Sequence, residues 1–310
     1  MDIDNSLRPR IDDLLELRHQ AQALGLASHH LVNSAFSGLY ASIFRGAGLN
    51  FEEVRQYREG DDIRNMDWKV TARTNSPHMK IFREERERSV IFCVDQGPHM
   101  SFGTRGTFKS IQAARATALL GWAANRQHDR VGGLLFGHTL SGAQFFRPTR
   151  GRRALWRLLR AMTEPSPPQE AERDYLFAAL QQVDRATSKG SLIFVIADFN
   201  RDLGGLLERT LGSMSQRHAV VLLPVDDPVD REIPVMGPMV FTSADGELIE
   251  IDTADKAARQ TYTEAWQQRR EAVTALTNRL NLLFLPIRTD EDIHTSLLRD
   301  LRRYASNRVL

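Results

Sequence analysis

The sequence predicts an α/β protein built on a doubly wound, mostly parallel sheet of the Rossmann type, and three observations carry that expectation. From about residue 88 onward, short and nearly continuous apolar runs recur along the chain. Runs of that kind suit strands covered on both faces, as in a parallel sheet. Amphipathic segments alternate with them, and the order strand-helix-strand-helix places helices on both faces. In this architecture ligands sit beyond the carboxyl ends of the strands, so those ends are where a site is sought.

The N-terminal part reads differently. A helix is expected over Asp12–Leu24, followed by a Gly- and charge-rich region, Phe36–Arg73, with no continuous core-strand pattern. The division drawn is an N-terminal helix plus a small β-rich appendage, 1–87, and an α/β domain, 88–310. The charged run Arg83–Arg88 reads as an exposed strand whose charges guard an edge. Core strands are expected at Val90–Val94, Val131–Phe136, Leu192–Ala197, Ala219–Val225 and Leu282–Ile287. A weaker antiparallel pair is expected at Met239–Thr242 and Leu248–Ile251, turning at Asp245-Gly246. Helical spacing of apolar residues marks 107–126, Arg152–Met162, Tyr175–Ala186, Leu203–Met214 and 254–280. The Pro-rich stretch Thr163–Gln169 reads as a loop.

Composition narrows the class. The chain has 310 residues, 42% hydrophobic and 26% charged, which is ordinary for a globular protein with a large core. With 41 basic and 39 acidic residues the formal charge is +2, so overall charge predicts no polyanion partner. No stretch approaches the roughly 18 apolar residues of a membrane helix. The polar start Met1–Asn5 argues against a signal peptide. The single cysteine, Cys93, lies within the apolar run Val90–Val94, which excludes a disulfide framework. These features together predict a cytoplasmic protein with no direct membrane span.

One set of residues is specific. Gly46, Gly48, Phe51, Glu53, Arg55, Tyr57, Gly60-Asp61-Asp62, Arg64, Asp67-Trp68 and Thr71-Ala72-Arg73 stand at fixed spacing. Lys80, Glu84–Glu87, Val94-Asp95, Phe102-Gly103-Thr104, Lys109, Ala113-Ala114 and Asp129–Gly132 continue the pattern. In these positions the chain resembles the bacterial family called domain of unknown function 58, over at least residues 38–136 and more weakly to about 290. The resemblance implies a von Willebrand factor A-like fold. It also implies a partnership with a MoxR-type AAA+ ATPase acting on client proteins by remodelling, maturation or metal insertion. The residues expected to dock a partner are Arg55, Tyr57, Asp61, Asp62, Arg64, Asp67 and Trp68, with the strand-end loop Asp95–Thr104. Trp, Tyr and Arg dominate binding surfaces. The same charges could instead knit the appendage onto the α/β domain through bidentate Arg–carboxylate pairs.

The resemblance further implies a divalent-metal site at the end of the first core strand, built from Asp-x-Ser-x-Ser, a later Thr and a later Asp. Here the first segment is Asp95-Gln96-Gly97-Pro98-His99, so both serines are replaced. Asp174 aligns with the Thr and Asp198 with the last Asp. One expectation is a degenerate site that holds no cofactor. The other is an altered site of Asp95, His99, Asp174 and Asp198, whose imidazole and carboxylates suit Mn²⁺, Fe²⁺ or Zn²⁺ better than Mg²⁺.

Rival chemistries find less support. Gly103–Ser110 approaches a phosphate-binding loop but has Phe108 where glycine should precede the lysine, and begins eight residues past Asp95. No Gly-x-Ser-x-Gly, His-Glu-x-x-His or cysteine pair occurs. His29-His30 and His128 read as polar surface. The basic stretch Arg147, Arg150, Arg152, Arg153, Arg157 and Arg160 could meet phosphates, with Leu155, Trp156, Leu158 and Leu159 expected to face inward. An acidic protein partner suits that surface better than nucleic acid. The expected function is therefore a non-enzymatic adaptor. The alternatives are a metal-dependent ligand-binding domain acting alone or, behind it, nucleic-acid binding.

Overall fold

The computed structural model describes residues 8–25, 48–57, 66–85, 89–137, 143–164, 175–200, 204–242 and 248–307. The chain divides into two units, one comprising Met1–Leu39 with Ser89–Leu310 and the other Tyr40–Arg88.

In the larger unit, β3 (Ser89–Asp95), β4 (Arg130–Phe136), β6 (Leu192–Ala197) and β7 (Ala219–Asp226) form the parallel heart of a sheet. The edge strand β5 (Gln144–Thr149) pairs antiparallel with β4. Two short strands, β10 (Leu283–Phe284) and β11 (Ile287–Arg288), lie parallel to β7. The order across the sheet is β10-β7-β6-β3-β4-β5. The chain therefore runs outward from β3 to β4, then returns to the other side of β3 with β6. That reversal creates a switch point between the carboxyl ends of β3 and β6.

Successive residues of a strand point to opposite faces. Ile91, Cys93, Ile193 and Val195 share one buried cluster with Leu180 of α5 (Tyr175–Ala186), Leu211 of α6 (Gly204–Arg217) and Val273 of α8 (Lys256–Arg279). On the other face the rings of Phe92 and Phe194 stack 5.3 Å apart, and α3 (Lys109–Arg126) and α4 (Arg152–Thr163) pack there. Helix α3 is buried nearly all round from Lys109 to Ala124. A helix of that kind needs cover on the side away from the sheet. The N-terminal helix α1 (Ile11–Gly25) and the C-terminal α9 (Ile293–Asn307) provide it. Leu14 is buried, and its carbonyl accepts a hydrogen bond from Trp122 Nε1 at 3.1 Å. Helix α1 therefore belongs with the α/β unit and not, as expected, with the appendage, while the expected boundary at residues 87 and 88 lies within a residue of the division at 88 and 89.

Most expected elements are present within a residue or two. The expected strand Leu282–Ile287 is instead broken in two, because Pro286 has no N–H to give to β7. The Leu285 amide still reaches Leu222 O at 2.9 Å. Strands β8 (Pro238–Thr242) and β9 (Leu248–Asp252) pair antiparallel as expected, and their turn lies outside the described residues. Edge strand β5, the four-residue helix α7 (Pro228–Arg231) and α9 were not expected.

The smaller unit is a two-stranded antiparallel sheet of β1 (Gly48–Gln56) and β2 (His78–Glu85), with the short helix α2 (Trp68–Thr74) between them. The charged run expected as a guarded edge begins inside β2, and residues 86–88 lie outside the described ones. No helix among the described residues is long and apolar enough to cross a membrane.

Candidate functional site

Three adjacent parallel strands deliver an aspartate to the same edge. Asp95 ends β3, Asp198 follows β6 directly, and Asp226 ends β7 with Asp227 next to it. Asp230 of α7 joins them. Asp95 and Asp198 were expected from the family resemblance, and both obey the strand-end rule. Applied to Ala219–Val225, it would also have led to Asp226 and Asp227.

Lys109 organises this centre. It is the first residue of α3, 1% exposed, and its ammonium lies 2.8 Å from Asp198 Oδ2 and 2.7 Å from Asp230 Oδ2. The Phe102 ring lies 5.7 Å from the same nitrogen. A cation at a helix N-terminus opposes the helix dipole, and a buried one is tolerated only when paired. Burial pulls the ammonium toward neutrality, but the two carboxylates outweigh it and hold Lys109 above its ordinary value. Burial raises Asp198 as well. The charge and hydrogen bond of Lys109, with the Asn200 amide at 2.7 Å, win and leave it below the ordinary range. Asp230 ends above that range, because burial and the neighbouring Asp198 charge outweigh the pull of Lys109. Sequence periodicity treats Lys109 as the polar start of a helix. The signal it offers is a basic residue in a first turn, where acidic residues are favoured.

The neighbouring groups are tied down too. Burial pushes Asp226 up to about 6 against the pull of Arg270, and the charges of Asp198 and Asp230 add to the rise. Arg270 hydrogen-bonds Asp226, and its guanidinium lies over the rings of Trp266 at 5.2 Å and Phe284 at 5.6 Å. Asp227 accepts from the Thr104 amide and hydroxyl, the Thr289 hydroxyl and the Val229 amide. Those bonds overcome burial and hold Asp227 below its ordinary value.

Among the described residues, the expected metal ligands Asp95, His99 and Asp198 do not gather as a ligand set. Asp95 Oδ2 pairs with His99 Nε2 at 2.9 Å, while Asp95 Oδ1 accepts from the Gly97 amide at 2.9 Å. Asp198 pairs instead with Lys109. Asp174 lies outside the described residues. Among the described residues no three His, Cys, Asp or Glu side chains gather as a metal ligand set would. The imidazole has taken the space of a missing serine: a Cβ on Gly97 would meet His99 Cε1 at 2.5 Å. A hydroxyl-lined divalent site does not fit these residues.

The phosphate-loop likeness of Gly103–Ser110 dissolves in three dimensions. Gly106 has φ +76, and a Cβ there would meet Thr289 O at 2.5 Å. Its glycine serves close packing of the chain on itself, and Lys109 points into the aspartates.

Of the residues expected to dock a partner, Asp61, Asp62 and Arg64 lie outside the described residues, as does the side chain of Arg55 in β1. Tyr57 is half-buried. Asp67 is buried and caps α2, its Oδ1 accepting from the Lys69 and Val70 amides at 3.0 and 3.1 Å. Trp68 beside it is 67% exposed. Asp67 thus holds the local fold, and Trp68 is presented outward. In the strand-end loop Asp95 and Met100 are buried, while Phe102 is 41% exposed.

On α4, Leu155, Leu158, Leu159 and Met162 are buried and Arg152, Arg153, Arg157 and Arg160 are exposed. Trp156, expected to face inward, is 38% exposed, with the Arg160 guanidinium 5.2 Å from its ring. The helical repeat places residue 156 about 100° away from the stripe through 155, 158, 159 and 162. His128 is exposed at φ +61, and His29-His30 lie outside the described residues.

The fold and this edge define a class: an α/β protein with a doubly wound sheet and a charged, internally paired centre at its switch point. Within that class the chain belongs to the family described as protein of unknown function DUF58, whose model matches residues 53–272. An uncharacterised protein of Mycobacterium tuberculosis is 30% identical over 305 residues, covering 97% of this chain and 92% of its own. An uncharacterised protein of Mycobacterium avium is 29% identical over 151 residues, covering 48% of this chain and 87% of its own. Similar solved structures include the conserved hypothetical protein BatB from Bacteroides thetaiotaomicron, with a TM-score of 0.43 and 14% identity over 71% of this chain and 99% of that one. A von Willebrand factor type A protein from Catenulispora acidiphila has a TM-score of 0.36 and 12% identity, over 72% of this chain and 43% of that one.

Proposed function

We propose that this protein is a non-enzymatic adaptor that couples a MoxR-type AAA+ ATPase to client proteins. The ATPase class rests on the family resemblance. The observation that carries the docking role is Trp68, held in place by the Asp67 cap yet 67% exposed. Large exposed aromatics on fixed backbone are the usual anchors of protein interfaces. The arginine face of α4 offers charge for an acidic partner. The aspartates at the switch point are engaged by Lys109, His99, Arg270 and two threonines, an arrangement that suits a rigid scaffold.

The test is binding of the purified full chain to a purified MoxR-type ATPase by biolayer interferometry. Trp68→Ala is expected to weaken binding at least about tenfold while leaving the melting temperature unchanged. Equal binding by the two proteins, or no binding by the wild type, would overturn the reading.

A further inference from the structure

We infer that the Lys109 ammonium is a built-in cation standing in for a divalent ion at the head of the sheet, so that this centre keeps its shape without metal. Two carboxylate oxygens, one from the residue after β6 and one from α7 beyond β7, lie 2.8 and 2.7 Å from one nitrogen. Hard cations are held by oxygens converging on a point in this way. A divalent ion entering there would meet the ammonium at close range, and like charges repel strongly in a buried setting. The ammonium cannot swing away, because Lys109 is 1% exposed and the Phe102 ring lies along one side of it. Its own amide is bonded to Phe102 O at 2.9 Å, fixing the root of the side chain. Gly97 and His99 remove the hydroxyls a metal would have used, so the exchange of ion for lysine is matched by the residues around it.

The inference yields a specific reversal. With the ammonium deleted, Asp198 and Asp230 are left as two carboxylates converging on an empty point, and the chain acquires a need for a divalent ion. The experiment compares the full wild-type chain with Lys109→Met, close in size without the charge, and with Lys109→Arg. Thermal midpoints are taken in chelator and in millimolar Mg²⁺, Mn²⁺ or Ca²⁺. The wild type and Lys109→Arg are expected to be indifferent to all of these. Lys109→Met is expected to melt roughly 10 °C lower in chelator. Mn²⁺ or Mg²⁺ should restore part of the loss saturably, and Asp230→Asn on the same background should abolish that recovery. If Lys109→Met does not stay folded in chelator, refolding yield replaces the midpoint, and a yield that rises with Mn²⁺ supports the inference. A midpoint or yield that no cation moves would overturn it. So would a wild-type chain stabilised by a divalent ion in a manner that Asp198→Asn removes. No partner enters this experiment, so its failure and that of the adaptor reading are distinct.

Discussion

An ammonium in a protein interior persists only where carboxylates surround it, and the environment of Lys109 is arranged around that requirement. Asp198→Asn would leave Lys109 facing a single carboxylate, Asp230, whose proton affinity is already raised. Breaking a buried pair in this way costs about 3–5 kcal/mol. It is expected as a lower urea midpoint with an unchanged slope. Cys93 offers a second check at this scale. It is fully buried in β3, and burial pushes its thiol far up. A thiol reagent is therefore expected to modify it only on unfolding, with no reaction in native buffer. Asp95, Asp198 and Cys93 could be placed from sequence because each belongs to an apolar run or its end. Lys109 could not: its partners are 89 and 121 positions away along the chain.

Elements divide along the same line. Strands β3, β6 and β7 were legible because burial on both faces demands continuous apolar runs. Helix α9 is equally periodic, with Ile293, Leu297 and Leu301 buried along one face at a spacing of four. Edge strand β5 was not legible, since Gln144–Thr149 mixes polar residues with Pro148 and sits where proline is tolerated. The role of Asp67 depends on geometry over three residues, and the sequence admitted both a binding and a structural reading. Asp67→Ala is expected to cost about 1 kcal/mol of local helix stability. Amide exchange should quicken at Lys69 and Val70, with no change in β3 or β6. Partner binding should fall with it, because Trp68 begins the helix that Asp67 caps.

For the molecule as a whole, the shifted aspartates set the pH dependence. Asp198 and Asp227 are lowered in the folded state. The stability they contribute is present above the ordinary carboxylate value of 3.8 and is lost as pH falls through their folded values. Asp226 works in the opposite sense. Its rise from 3.8 to about 6 means the folded state holds the proton longer, so stability declines as pH rises across that window. Lys109, raised above 10.5, contributes stability fully below that value and loses it as pH climbs through the folded one. The urea midpoint is therefore expected to be highest near pH 4 and to fall as pH rises from about 4 to about 6. It should level off above that window and fall again in strong alkali. Asp226→Asn should flatten the slope between pH 4 and pH 6, and a slope that persists in that variant would assign it to other groups.

The sequence by itself determined the parallel strands at the heart of the sheet, their alternation with helices, and the edge at which a site was to be sought. Those properties follow from local periodicity and from where apolar runs stop. Only the tertiary structure decided what happens at that edge. Strand order brings three distant loops within hydrogen-bonding distance, and there a helix-starting lysine sits between Asp198, one of the residues expected to bind a metal, and Asp230, which was not among them. Helix α1 was settled in the same way, because the back of α3 that it covers exists only once α3 is laid on the sheet.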